Sequence, residues 1–192
     1  MSSYMSAAWL DLVPGADAET VLTLFREQFE EGFATQTPDG TRLEVHVFSV
    51  GYARLGALCA ELVAEGGPGR RAFVVLDHDE FGGEVVALAP GGRVYHFYIY
   101  PRDEETGEAC TDEGGPALDD VPALSAPEPS DEPGAVLAGP VARERLARLY
   151  EVPLDRVEEA DRRAADAHES LGIIGVPFEP WLDALGIEWS EA

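Results

Sequence analysis

Four consecutive residues at the end of an apolar run have side chains that bind metals or activate water. They are Asp77, His78, Asp79 and Glu80. Strand phasing is expected to place two further histidines, His46 and His96, on one face of a sheet. Imidazole and carboxylate groups bind divalent ions, and a bound ion lowers the pKa of its water ligand. One hypothesis is therefore a small metal-assisted hydrolase with the catalytic set His46, His78, Asp79 and His96.

A simpler interpretation makes residues 77–80 the end of a strand and the start of a turn. Adjacent residues on a strand point to opposite faces, so Asp77 and Asp79 converge only with help from elsewhere in the chain. Asp79 and Glu80 are then polar turn residues before Gly82. The spacing matches no established metal-binding motif. On this interpretation the protein has no catalytic residue, no metal and no cofactor.

Residues 145–157, Arg-Leu-Ala-Arg-Leu-Tyr-Glu-Val-Pro-Leu-Asp-Arg-Val, resemble a helix-turn-helix motif. Ala147 matches the small residue of the first helix, and Val157 matches the buried residue of the second. The resemblance implies a DNA-binding regulator that acts through residues 143–163. Glu151 stands where the turn usually has Gly. Four acidic residues at the start of the second helix would repel phosphates: Asp155, Glu158, Glu159 and Asp161. The alternative is a helical hairpin with salt-bridged exposed faces.

The charge of the chain favours a different class of partner. The 192 residues include 37 Asp and Glu but only 13 Arg and no Lys, for a net charge of −24. Binding to nucleic acid or to an anionic membrane needs a surplus of cations, so both are disfavoured. A strong negative field favours a basic protein partner. The composition is also typical of a high-GC genome, in which acidic proteins are common.

A non-enzymatic binding protein is the first hypothesis, because aromatic anchors and steering charges are both present. The proposed binding set is Tyr95, Tyr98, Tyr100, Asp103, Glu104, Glu105, Trp181 and Trp189. Interface anchors are usually aromatic or Arg residues, whereas rim charges mainly set the association rate. In general type the chain is similar to immunity proteins that neutralise basic toxins. This resemblance covers no aligned residues, so it assigns no site.

The elements that position these residues begin with alternating strands and helices. The first hundred residues predict the order β-α-β-α-β-β-β, with Asp17 capping the first helix and Gly32 ending it. Glycine-containing turns join the last three strands, and connections this short force antiparallel neighbours. The prediction is an α+β fold with a mixed or antiparallel sheet of about five strands and two helices on one face.

Three regions follow from composition. Residues 1–101 form the α+β core. Residues 102–139 form an acidic linker or loop rich in Pro and Gly, in which only 121–124 and 135–137 are expected to contact the core. Residues 140–192 form a helical tail that packs on the core through Trp181, Ile187 and Trp189.

The sequence also predicts a cytoplasmic location. No apolar run approaches the roughly 20 residues that span a bilayer. The first ten residues lack the basic segment and apolar stretch of a signal peptide. Cys59 and Cys110 share no spacing typical of a disulfide framework, and Cys59 lies on the apolar stripe of a helix.

Overall fold

An antiparallel sheet organises the chain, and the computed structural model describes residues 5–48, 52–78, 81–103, 105–110, 116–118, 120–124 and 134–189. The strands are β1 (Met5–Leu12), β2 (Gly32–Gln36), β3 (Arg42–Val47), β4 (Gly69–Asp77), β5 (Gly83–Ala89) and β6 (Gly92–Ile99). The helices are α1 (Ala18–Gln28), α2 (Tyr52–Val63), α3 (Pro140–Tyr150), α4 (Leu154–Arg163) and α5 (Glu179–Leu185). The strand order is β2-β3-β1-β4-β5-β6, and every neighbouring pair is antiparallel.

The α+β class and the antiparallel pairing are confirmed, but the sheet has six strands where about five were expected. The additional strand is β2. Gly32 was predicted to end the first helix, yet α1 ends at Gln28 and Phe29 already has extended backbone. Gly32 instead opens β2, which forms a hairpin with β3. The error arose because a glycine after two glutamates has the composition of a helix end.

The turn between β2 and β3 is built from short side chains. Asp39 accepts hydrogen bonds from the hydroxyl of Thr37 and from the backbone N–H of Thr41. These bonds lower the pKa of Asp39 to about 2. The side chain therefore stays ionised and holds the hairpin at neutral pH.

Helices α1 and α2 cover one face of the sheet, as predicted. The N-terminus of α1 is capped by Asp17, which accepts from the backbone N–H of Thr20 at 3.3 Å. The apolar stripes of both helices pack on alternate residues of the strands, the principal residues being Val21, Leu22, Phe25, Leu55, Leu62, Leu43, Val45, Val74 and Val86. Cys59 belongs to this core, where burial raises the pKa of its thiol to about 12. It is therefore a packing residue.

The C-terminal helices α3, α4 and α5 cover the opposite face. Residues Ala7, Trp9, Phe73, Val75, Val85 and Phe97 from the sheet pack against Leu146, Tyr150, Val157, Phe178, Trp181 and Leu185. The sheet is thus buried on both faces, which explains why its central strands are almost continuously apolar.

The outer edge of β6 is covered by two pieces of the acidic segment. The backbone N–H of Arg93 donates to Pro122 at 2.7 Å, that of His96 to Leu137 at 2.9 Å and that of Tyr98 to Gly134 at 2.8 Å. These contacts involve regions 120–124 and 134–139, which include the two stretches expected to touch the core. An exposed strand edge can pair with another chain, and here a loop forms hydrogen bonds with the backbone of that edge.

A third piece, residues 116–118, also packs on the core, contrary to the expectation from composition. Leu118 is 2% exposed and lies against Gly56 of α2, so closely that a Cβ on Gly56 would come within 2.4 Å of Leu118 Cδ1. The buried carboxylate of Glu84 accepts from the backbone N–H groups of Ala117 at 2.9 Å and Leu118 at 3.0 Å. The reason is that Glu84, on β5, needs donors in an apolar layer.

We expect the substitution Leu118→Ala to lower the free energy of unfolding by about 2–5 kcal/mol, because it leaves a cavity against α2. Urea denaturation monitored by circular dichroism measures the change. Leu124→Ala is the control: its side chain is 41% exposed, so the loss should stay near 0.5 kcal/mol. Equal, small losses for both variants would show that residues 116–118 do not pack in solution.

Candidate functional site

Of the aromatic residues predicted to anchor a partner, three lie in the interior. Tyr95 and Trp181 are 0% exposed and Tyr98 is 1% exposed. Tyr100 and Trp189 are partly exposed. Helices cover one face of β6, and the acidic segment covers its edge. The surface that a partner can contact therefore includes Tyr100 and Trp189 and excludes the other three.

Trp189 completes an aromatic cluster on the side of the sheet that carries α3–α5. Its ring centroid lies 5.4 Å from that of Trp9 and 4.9 Å from that of His46. His46 stacks on Phe33 at 4.4 Å, and its Nε2 lies 2.7 Å from Oε1 of Glu44. The cluster packs the C-terminal end of the described chain onto β1, β2 and β3.

A buried carboxylate joins the helices to β6. Asp161 on α4 is 8% exposed and accepts hydrogen bonds from the Tyr95 hydroxyl, from Trp181 Nε1 at 3.1 Å and from Arg143 Nε. Trp181 Nε1 also lies 2.9 Å from the Tyr95 hydroxyl. Burial raises the pKa of Asp161 and that of Tyr95. These contacts connect α3, α4 and α5 to β6, and together they form a structural joint at Asp161.

A cleft opens beside this joint, between the end of β6 and α4, and has a volume of about 540 Å³. Its walls include Phe97, Ile99, Tyr100, Arg143, Glu158 and His168. An apolar floor with a few charged groups is typical of a small-molecule site. Asp161 also lines the cleft, but its hydrogen bonds to three side chains leave it poorly placed to act as a general base.

Two of the predicted steering charges, Asp103 and Glu105, lie beside the cleft on an exposed hairpin, in which Arg102 forms a bridge with Ala109. Asp103 accepts from the backbone N–H of Glu105 at 3.0 Å and of Thr106 at 2.7 Å. Hydrogen bonds from Thr106 and Glu105 lower the pKa of Asp103, so it is ionised at neutral pH. Glu105 is exposed, and Glu104 lies outside the described residues.

Of the residues of the predicted hydrolase, His78 and His96 lie beside one carboxylate, Glu84, and His46 lies apart from them. His96 and Glu84 lie on the face that carries α1 and α2, with His96 Nε2 2.7 Å from Glu84 Oε1 and His78 Nε2 3.9 Å from Glu84 Oε2. His46 lies on the opposite face on β3, and β1, β4 and β5 separate β3 from β6. Asp77 also faces away from His78 and accepts from Gly172 N–H at 3.3 Å.

The rest of this predicted cluster, Asp79 and Glu80, lies outside the described residues. In the ranges that the structure describes, no group of three or more His, Cys, Asp or Glu side chains is placed to hold a metal ion. The sequence prediction grouped the histidines because alternation along a strand shows only which residues of that same strand share a face. The order of strands in the sheet is a tertiary property.

The segment that resembles a helix-turn-helix forms two helices, α3 and α4, joined at Glu151, whose left-handed backbone (φ 58°) is the conformation that Gly usually supplies. Its apolar positions pack on the sheet: Leu146, Ala147, Tyr150 and Val157. Most of its arginines make internal contacts, with Asp161, Glu144, Glu159 and Asp183 as the acceptors. The DNA-binding function stays a prediction, with few cations left for phosphates.

Comparisons with protein-family models, curated proteins and solved structures gave no match to this chain. Across the described part of the chain, no helix combines the length and the apolar character needed to cross a bilayer. A functional proposal therefore depends on the surface, the cleft and the buried groups described above.

We expect Tyr95→Phe to lower the free energy of unfolding by about 1–3 kcal/mol, since Asp161 then loses a donor in a buried site. Denaturation by urea measures the loss. Tyr100→Phe, at a partly exposed position, is the matched control and should change stability little. If both variants behave alike, the joint at Asp161 does not hold the helices to β6.

We expect stability to fall as the pH drops below about 6.5, because burial lowers the pKa of His78 below its ordinary value of 6.5. The unfolded chain then binds a proton that the folded chain resists, so the unfolded state gains. Glu84 is the charged group that opposes this shift. The substitution His78→Gln should flatten the dependence of unfolding free energy on pH between about 7 and 5. An unchanged slope would assign the acid sensitivity to other groups.

Proposed function

We propose that this chain is a non-enzymatic acidic binding protein that engages a basic protein partner. The observation that carries the proposal is the distribution of its few cations. Arginines form ion pairs with carboxylates of the same chain, and this set comprises Arg26, Arg42, Arg70, Arg71, Arg143, Arg148, Arg162 and Arg163. Most of the arginines are thus engaged by carboxylates of the same chain, whereas the exposed Arg54 and Arg102 donate to the neutral acceptors Gln28 and Gly107. Exposed carboxylates remain in excess.

Two exposed surfaces concentrate the excess. One is formed by Glu27, Glu30 and Glu31, where α1 ends and β2 begins; the other is the hairpin with Asp103, Glu105 and Glu108. Among the described residues, none of these six carboxylates has an ion-pair partner. Uncompensated carboxylates on an exposed surface attract a basic protein during diffusion and raise its association rate.

The specific form of the proposal is immunity-like capture of a basic toxin, in which binding alone blocks the partner. Capture needs only a surface, and this agrees with a site region whose titratable groups are engaged in structural contacts. We also propose a cytoplasmic location, which the buried thiol of Cys59 supports because reducing compartments keep thiols out of disulfides. The hydrolase stays a prediction with weaker support, since His46 lies apart from His78 and His96. The DNA-binding regulator does so because most arginines of residues 143–163 contact acceptors within the chain.

Affinity capture from a lysate of the source organism at low salt, followed by stepped salt elution, supplies a partner for kinetic measurement. We expect the association rate with the purified partner to fall steeply as salt rises, while the dissociation rate changes less. Neutralising Asp103, Glu104 and Glu105 as amides should lower the association rate. Alanine at Tyr100 or Trp189 should instead raise the dissociation rate.

Glu61→Gln with Glu65→Gln is the charge control, because both side chains are exposed and lie on α2 and the turn after it. If they lower the association rate as much as changes at 103–105, attraction is due to net charge and no steering surface exists there. Recovery of only abundant basic proteins, all released by modest salt, would overturn the proposal.

A further inference from the structure

The outer edge of β2 carries backbone hydrogen-bonding groups that no described residue pairs. Bonds from Phe48 N–H to Glu31 and from Thr37 N–H to Arg42 mark the two ends of the β2–β3 ladder. Antiparallel pairs alternate between bonded and non-bonded positions, so Phe33 and Thr35 turn their N–H and C=O groups toward β3. The same groups of Gly32, Ala34 and Gln36 point outward. Within the described residues, no backbone or side-chain group bonds to them.

This edge lacks the features that usually protect a free strand. Its residues, Gly-Phe-Ala-Thr-Gln, include no proline and no charge, and its pairing with β3 has no register shift. The opposite edge of the same sheet is covered at Arg93, His96 and Tyr98. One edge is closed by the chain itself and the other is ready to pair.

The charges around β2 select the kind of strand that can pair there. Glu27, Glu30 and Glu31 are exposed at its start, where Arg26 is paired with Glu19 at 2.9 Å and Arg54 donates to the side chain of Gln28. An antiparallel pair of two copies would place Glu30 and Glu31 of one copy beside the turn of the other, whose Asp39 is ionised, and this like charge opposes self-pairing. An extended segment that carries cations is instead attracted by these carboxylates.

A small cavity beside the edge has room for a side chain of such a segment. Its volume is about 220 Å³, and its lining includes Phe25, Phe29, Phe33, Glu30 and Arg26, whose charge is paired with Glu19. Aromatic walls suit the aliphatic stem of an Arg or Lys side chain, and the carboxylate suits its charged end. Backbone pairing with side-chain pockets on alternate residues is the usual mode of strand addition.

We propose that β2 accepts an extended basic segment of the partner as an additional strand of the sheet. This inference rests on the proposed function and names its docking surface. The N–H and C=O groups of Ala34 and Gln36 supply the backbone bonds. The carboxylates of Glu27, Glu30 and Glu31 supply the preference for cations, and they prevent the edge from pairing with a second copy.

The test uses the full chain and a short capped peptide of alternating Arg and Val, with a Glu-Val peptide of the same length as the control. Amide hydrogen exchange by NMR should show protection of Ala34 and Gln36 on addition of the Arg-Val peptide and none with the Glu-Val peptide. A third peptide, N-methylated on alternate residues to remove the donors that face β2, should bind at least about tenfold more weakly.

Protein variants separate the edge from its charge. Ala34→Pro removes an outward N–H that β3 does not use, so the sheet should persist while peptide affinity falls about tenfold. Glu30→Gln with Glu31→Gln should also weaken binding about tenfold, whereas the control pair Glu61→Gln and Glu65→Gln should have little effect. The N-methylated peptide keeps the test decisive if the proline variant does not fold.

The outcomes distinguish the two proposals. Salt-sensitive binding of the Arg-Val peptide without protection at Ala34 and Gln36, and with no effect of N-methylation, would overturn strand addition and leave the basic-partner proposal standing. No binding of the Arg-Val peptide, together with concentration-dependent protection of β2 in the protein alone, would mean that the edge pairs with a second copy. That result would remove strand addition and weaken the basic-partner proposal with it.

Discussion

The buried carboxylate of Asp161 is the joint on which the three-layer arrangement depends. It lies on α4, yet its donors come from β6, α5 and α3 through Tyr95, Trp181 and Arg143. An ionisable group in an apolar layer is tolerated only when its hydrogen bonds are made, so these four residues must come together or the face of the sheet stays open. The C-terminal helices are therefore held in one orientation by polar contacts, while apolar packing supplies most of the burial.

A second buried carboxylate serves the opposite face in a similar way. Glu84 sits beside His96 and accepts from the backbone of Ala117 and Leu118, which brings part of an acidic, proline-rich segment onto the core. Composition alone argued that this segment could not order itself. The core supplies what the segment lacks, since Glu84 offers an acceptor and α2 offers the surface at Gly56 that Leu118 covers.

Ion pairs between arginines and buried or half-buried carboxylates also affect the charge of the surface. Arg42 and Arg71 both pair with Asp11, and Arg143 pairs with Asp161, so part of the positive charge is neutralised within the fold. Carboxylates at the end of α1 and in the hairpin after β6 are left exposed to solvent, namely Glu27, Glu30, Glu31, Asp103, Glu105 and Glu108. A protein built this way presents a negative surface by default, and a free strand edge within that surface has backbone groups to offer as well as charge.

Local patterns in the sequence determined the elements: the cap at Asp17, the glycine turns that join β4, β5 and β6, the helical stripes around Phe25 and Leu55, and the antiparallel pairing. They act over a few residues, where backbone sterics and hydrogen bonding decide. Tertiary structure alone decided the order of the strands, which separates β3 from β6, and their register, which puts His46 and His96 on opposite faces. It also decided the burial of Tyr95 and Asp161, because tyrosine and aspartate side chains occur on protein surfaces as well. β2 falls between these cases, because the sequence near Gly32 suits both a helix end and a strand, and only pairing with β3 makes it a strand.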